Sequence, residues 1–212
     1  MKYNARLKRE IPKGWNVNSL SDVVNNIAAG TRPGERLQEL YYTPLDDIPM
    51  RRMSFYGGQS HEEAKSSLIL YQKNNILLDA MRVHFHRLCI SSQVGITRST
   101  TIVMRTKEPK LMPFVYQVVN SDEKIAYAVN QSGKSQQPYV NWEGELEKYS
   151  FAMPPENLAL RYSDEIISII EKVKSSEQEN FELTALRNFL LPLLMNGQVT
   201  VATAESVAEQ LT

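Results

Sequence analysis

The sequence predicts an α+β fold: a globular mixed α/β unit over residues 1–153, followed by a long helix and tail over residues 154–212. Three observations carry that prediction. Short β-rich runs separated by Gly, Pro and Asn punctuate the first part of the chain. Pro154-Pro155 then falls where neither a helix nor a strand can continue. Beyond it, apolar residues recur at alternating three- and four-residue intervals, the signature of a helix with one sticky face.

Taken in order, Met1–Glu10 is polar and basic, a surface arm, and Ile11-Pro12-Lys13-Gly14-Trp15 turns the chain into the domain. Val17 and Leu20 predict a short strand, Ser21–Ala29 a helix ending at Gly30, and Gly30-Thr31-Arg32-Pro33-Gly34 a loop. Asp46–Phe55 has mixed strand character and ends at the break Tyr56-Gly57-Gly58. Ser60-His61-Glu62-Glu63 fits a capping box opening a short helix. Asn74-Asn75 turns into Ile76-Leu77-Leu78, a buried strand. From Met81 to Ile90, alternation predicts a strand with Arg82, His84 and His86 on one face and Val83 and Phe85 on the other. Thr100–Met104 is β-rich, Pro113–Ala128 one or two helices, Ser132–Pro138 polar with a glycine, and Tyr149–Met153 a last strand.

The C-terminal helix is expected from Ser163, as N-cap, to Gly197, a natural residue just past a helix end. That is about 30 residues, or roughly 45 Å. Its sticky face comprises Ile166, Ile169, Ile170, Val173, Leu183, Leu186, Leu190 and Leu193. Continuing the early register places Ser176 and Asn180 in the seam, where a polar residue fixes alignment at a cost in stability. Pro192 is expected to kink or restart the helix. A helix of this length needs a partner surface.

The chain has 212 residues, 23% charged and 42% apolar, a soluble globular composition. No apolar run approaches the roughly 20 residues of a membrane span, and the single Cys89 has no partner for an internal disulfide, so a cytoplasmic protein is expected. Formal net charge is zero, but it is unevenly placed. Residues 1–150 carry 20 Lys and Arg against 15 Asp and Glu, and residues 151–212 carry 4 against 9. A basic globular part thus precedes an acidic helical one.

Dinucleotide, phosphate-loop and nucleophile-elbow motifs are missing. Glu63-Ala64-Lys65 with Asp46 and Asp47 distantly suggests a metal-dependent nuclease, but a solvated helix face is favoured by the capping box. His84 and His86 could share a metal, yet two ligands are too few for a site, so no metal is expected. The remaining set is Arg32, Arg51, Arg52, Tyr56, Arg82, His84, Arg87, Lys134, Gln136 and Gln137. Arg reads guanine edges, Gln reads adenine, and Lys holds phosphate.

Several segments together resemble a known family. They are Ile11-Pro12-Lys13-Gly14-Trp15 with Leu20-Ser21-Asp22, the Gly30-Thr31-Arg32-Pro33 loop, Asn75-Ile76-Leu77-Leu78, Gly133 with Pro138-Tyr139-Val140, Met153-Pro154-Pro155, and Leu186 to Gly197. In this order they resemble one half of a specificity subunit of a type I restriction-modification system: one target recognition domain plus one conserved helical region. The resemblance implies a non-catalytic reader of one half-site in double-stranded DNA, built either as a half-subunit or as a C-terminal half. It implies that the helix pairs antiparallel with a second half, most simply in a homodimer. Methyltransferase subunits would dock on this scaffold and bring AdoMet, with no cofactor in this chain, and a restriction subunit could join them. The helix would then act as a ruler between two half-sites. A stand-alone metal-dependent endonuclease and a helical protein–protein adaptor are the alternatives.

Overall fold

The run Ile76–Asp79 is buried on both faces, and this sets the layering of the molecule in the computed structural model, which describes residues 1–34, 37–132 and 139–199. The strands are β1 (Lys2–Asn4), β2 (Arg9–Ile11), β3 (Asn16–Ser19), β4 (Val24–Asn26), β5 (Gly30–Thr31), β6 (Tyr41–Thr43) and β7 (Ser54–Phe55). They continue as β8 (Leu68–Tyr71), β9 (Ile76–Asp79), β10 (Leu88–Ser91), β11 (Gly95–Arg98), β12 (Thr101–Thr106) and β13 (Ser150–Met153). The helices are α1 (Leu20–Val23), α2 (Met112–Val119), α3 (Asp122–Ser132) and α4 (Glu156–Met195).

A five-stranded sheet in the order β4-β12-β9-β10-β7 lies between two covers. Successive strand residues point to opposite faces. Ile76 and Leu78 of β9, Leu88 and Ile90 of β10, and Ile102 and Met104 of β12 therefore join one core with α2, α3 and the start of α4. Their neighbours Leu77, Cys89 and Val103 join another with Ile69 and Tyr71 of β8. β8 belongs to a four-stranded sheet, β5-β8-β11-β6, whose other face holds Leu68, Ile96 and Tyr42. A sheet covered on both sides reads as an unbroken apolar run, which is why Ile-Leu-Leu was legible as buried. Pairing β3–β13 ties the chain entry to the strand before α4.

Local expectations fail where tertiary pairing overrides them. Ser21–Ala29 is not a helix: α1 makes one turn, and Val24–Asn26 pairs antiparallel with Met104–Thr106 as an edge strand. The predicted helix after Ser60 is a single 3-10 turn at His61–Glu63, with Ser60 accepting from Glu62 N at 3.3 Å. Asp46–Phe55 is largely irregular, with strand only at Ser54–Phe55. Met81–Ile90 is not a continuous strand, as described below. The two helices over Pro113–Ala128 and the strand at Tyr149–Met153 form as predicted.

Helix α4 begins at Glu156, seven residues before the predicted start, and runs 40 residues. At 1.5 Å per residue that is about 60 Å rather than 45 Å. Pro155 precedes the first turn, where proline's missing N–H costs nothing. Ser163 is not a cap but a buried mid-helix residue. The helix continues through Pro192 and ends as predicted: Gly197 has φ +66°, its N–H donates to Leu194 O, and Gln198 N donates to Leu193 O. That pair of bonds satisfies the terminal carbonyls.

The first two-thirds of α4 is fastened to the domain at three levels. Ala159 and Ile170 are fully buried in the main core. Lys174, 3% exposed, donates to Asn74 Oδ1 in the turn before β9 and to Glu171 Oε1 at 2.7 Å. Burial lowers the Lys174 pKa, opposed by Glu171. Phe181 stands edge-on between Tyr41 and Tyr56, with ring centroids at 5.7 and 5.6 Å, over Gly57. Among the described residues no helix is long and apolar enough to cross a membrane.

Candidate nucleic-acid interface

The connection from β9 to β10 is the most sharply shaped exposed element that carries predicted site residues. Asp79 Oδ1 accepts from Met81 N at 2.8 Å and turns the chain. Burial raises the Asp79 pKa to about 6, opposed by the Met81 N–H and by Arg87. Arg82 then takes φ +54°, Val83–Phe85 make one 3-10 turn, and His86 takes φ +53°. Two non-glycine residues in the left-handed region bracket a three-residue turn, a conformation that persists only when its surroundings hold it.

The surroundings do hold it. Val83 plugs into the main core. His86 is 3% exposed, with Nε2 and Asn120 Oδ1 at 2.9 Å and Nδ1 3.5 Å from Asp122 Oδ1. Arg51, itself at φ +53°, donates its backbone N–H to His86 O at 3.1 Å and its guanidinium to Asp122 at 3.1 Å. Arg87 donates to Asp46 O at 2.6 Å and Ile48 O at 2.8 Å. What remains exposed is Arg82, His84 and Phe85, the last two with ring centroids 4.4 Å apart. A cation, an imidazole and an apolar ring on a braced turn can meet phosphate, base edges and a thymine methyl.

The predicted site residues therefore sort into separate places. Arg82 and His84 share the turn, and Arg51 braces it. His84 and His86 do not share a strand face, because the left-handed residues break the alternation and His86 turns inward. Arg87 is spent on backbone carbonyls. Arg52, 3.8 Å from Glu177, and Tyr56, against Phe181, face α4. Arg32 sits beyond β5 on the second sheet, in a groove shared with Ser67 and Ser99. Lys134, Gln136 and Gln137 lie outside the described residues; Tyr139, which follows them, bridges to Met81 beside Arg82. Sequence reasoning missed Arg98, exposed at the β11–β12 turn and in register with Leu68 and Thr31. Its place between two β-rich runs was the available signal.

The helix residues also divide. Ile170 is fully buried and Ile166 half-buried against the chain's own core, so the domain side takes them. Val173, Leu186, Leu190 and Leu193 are half-buried, Ile169 and Leu183 are exposed at 51% and 52%, and Asn180 is exposed. Among the described residues no group of three or more potential metal-ligating side chains occurs, and Glu63 lies in the 3-10 turn after Ser60.

No family model matches the chain. It is 24% identical over 203 residues to the type I restriction enzyme HindI specificity subunit of Haemophilus influenzae, covering 89% of this chain and 42% of that one. The type I restriction enzyme MjaIX specificity subunit of Methanocaldococcus jannaschii is also 24% identical, over 217 residues, covering 94% and 48%. The crystal structure of a type I restriction-modification S subunit from M. genitalium aligns with a TM-score of 0.52 at 10% identity, over 84% of this chain and 45% of that one. The chain thus spans about half the length of the curated relatives it matches, and those relatives are specificity subunits.

Proposed function

We infer that this chain, a homologue of type I restriction-modification specificity subunits over about half their length, is a non-catalytic reader of one half of a bipartite DNA target. The observation that carries this is the near-complete match of the chain to one half of two such subunits. The braced turn at Arg82, His84 and Phe85 supplies a rigid reading element, and the basic globular part supplies phosphate affinity. The acidic helix α4 holds protein partners: a second half, methyltransferase subunits that bring AdoMet, and a restriction subunit. Residues 1–153 form the reader and residues 154–212 the pairing and docking region, with the first part of α4 fastened to the reader.

Co-expression with a type I methyltransferase subunit, followed by genome-wide mapping of methylated bases, tests this reading. A bipartite motif is expected, palindromic if both halves are identical; methylation without sequence preference would sink the proposal. In the same assay Arg82→Ala is expected to relax one base position, at a cost of about 1–3 kcal/mol in binding, with the melting temperature unchanged. Inserting one helical turn beyond Phe181, about 6 Å, is expected to lengthen the unspecified spacer between half-sites. An unaltered spacer in that variant would remove the ruler role from α4.

A further inference from the structure

Alternation along the chain puts Phe85 on the same face as Val83, yet the two part company in the fold: Val83 is 1% exposed and Phe85 39%. The cause is the turn itself. A 3-10 turn brings positions three apart to one side, and here those positions are Val83 and His86, both buried. His84 and Phe85 lie between these two anchors and are pushed outward as a two-residue ridge. The ridge carries its own backbone bonds: Phe85 N donates to Arg82 O and His86 N to Val83 O, each at 2.9 Å. A large apolar ring thus stands at the tip of an element that is fixed on both sides.

The ring is also supported sideways. The His84 ring lies 4.4 Å away at an interplanar angle of 50°, and Arg87 Cζ lies 6.0 Å from the Phe85 centroid. Arg87 is pinned to the carbonyls of Asp46 and Ile48, so that support is itself immobile. Met50, whose backbone pairs with Arg87 in an isolated bridge, adds a second apolar residue beside the turn, 55% exposed. The charges around this tip suit a polyanion. Asp122 is 3.1 Å from Arg51 and Asp46 is 3.7 Å from Arg87, so each of these acids is already faced by an arginine. Arg82, exposed at the entry to the turn, is a further cation.

A rigid apolar side chain ringed by cations can do more to a duplex than touch it. The cations hold phosphates on either side while the ring enters between two base pairs, replaces their stacking and bends the axis at that step. A mobile loop would fold away from such a load; a turn ordered by folding has already met the cost of ordering. Pyrimidine–purine steps, TA and CA/TG, unstack most readily, so a wedge selects them without a hydrogen bond to any base. A ridge of two side chains is, by contrast, too small to form a stable protein interface.

We propose that Phe85, with Met50 beside it, is a wedge that opens one TA or CA/TG step of the bound half-site. The proposal rests on the half-site reading above and names the kind of base step that the turn selects. It is tested in the assembly with a methyltransferase subunit, on a duplex carrying the motif mapped by methylation. Permanganate oxidises unstacked thymines, and both kinds of step contain one. Binding of the wild-type assembly is expected to make one half-site thymine several-fold more reactive. Phe85→Ala should remove that reactivity and weaken binding roughly tenfold, the scale of one lost aromatic–base stack. Phe85→Leu, still a wedge, should keep both, and neither variant should lower the melting temperature of the chain. Replacing the step by AA should weaken binding by the wild type and leave binding by Phe85→Ala unchanged. Uniform reactivity, or a reactive thymine that survives Phe85→Ala, would overturn the wedge while sequence-specific binding upholds the half-site reading. Loss of assembly with the methyltransferase in Phe85→Ala, seen by sedimentation, would overturn it too and make the ridge a protein contact. An assembly without any sequence preference would overturn both the wedge and the reading beneath it.

Discussion

Gly57→Ala is expected to destabilise the protein by about 2–4 kcal/mol, the sum of a non-glycine residue forced to positive φ and a methyl group driven into a packed ring. Gly57 has φ +95°, and a Cβ there would overlap the Phe181 ring at Cε2 and Cδ2. The ring has nowhere easy to go, since it stands edge-on between Tyr41 and Tyr56. Gln93 reinforces the site by bonding both backbone groups of Gly57, its Oε1 accepting from the N–H at 3.0 Å and its Nε2 donating to the carbonyl at 2.6 Å. Phe181→Ala opens the space, so the double variant should lose less than the two single losses together. Urea denaturation of the three variants checks this, and a single Gly57→Ala loss below 0.5 kcal/mol, by the ~0.5 kcal/mol scale of neutral surface changes, would mean the socket does not hold α4.

Lys124→Met is expected to stabilise the protein and to remove part of its pH dependence. The Lys124 side chain is fully buried on α3, and its Nζ has no hydrogen-bond partner among the described residues. Burial alone lowers its pKa to about 7 from an ordinary value of 10.5. Between these values the unfolded chain binds the proton and the folded chain releases it, so stability rises with pH. Read downward, stability is highest above the unfolded-state value and is lost as pH falls, fully so below about 7. Cys89, whose pKa burial pushes up to about 12, opposes this from about pH 9 upward, because there the folded state keeps its proton. The usable window is therefore pH 7 to 9, over which the wild type should gain about 2 kcal/mol that Lys124→Met lacks. At pH 7 or below the variant should be the more stable by a few kcal/mol, since an uncompensated buried charge is replaced by an apolar chain of similar length (~1–4 kcal/mol when such charges are removed). Denaturation midpoints at pH 6.5, 7.5 and 8.5 decide it; parallel curves for the two proteins would show that the lysine finds solvent or a counter-charge.

Much of the fold was legible in the residues. Asn74-Asn75 announced the turn into β9, the unbroken Ile-Leu-Leu announced a strand covered on both sides, and Gly197 announced the end of α4. The turn after β9 was mistaken for a strand because Arg-Val-His-Phe-His alternates polar and apolar along the sequence, whereas the 3-10 turn repeats every three residues and buries Val83 and His86 while leaving Phe85 exposed. A glycine would have advertised positive φ, but Arg82 and His86 do not. Arg52, Tyr56 and Arg87 were DNA-facing candidates by residue type; what the structure adds is their neighbours, Glu177 and Phe181 on α4 and the carbonyls of Asp46 and Ile48, none of them near in sequence.

For α4 the division is sharpest. Its helical state, its sticky periodicity and its polar middle at Ser176 and Asn180 follow from the sequence, since they depend on spacing and side-chain chemistry along one element. Which apolar residues face inward does not. Ile166 and Ile170 are chemically the same as Ile169, and one helix carries them all; only the position of α2 and the main core assigns the first two to the domain and leaves the third outside. Periodicity specifies that a helix has a face to cover, and the three-dimensional arrangement of distant segments specifies what covers it.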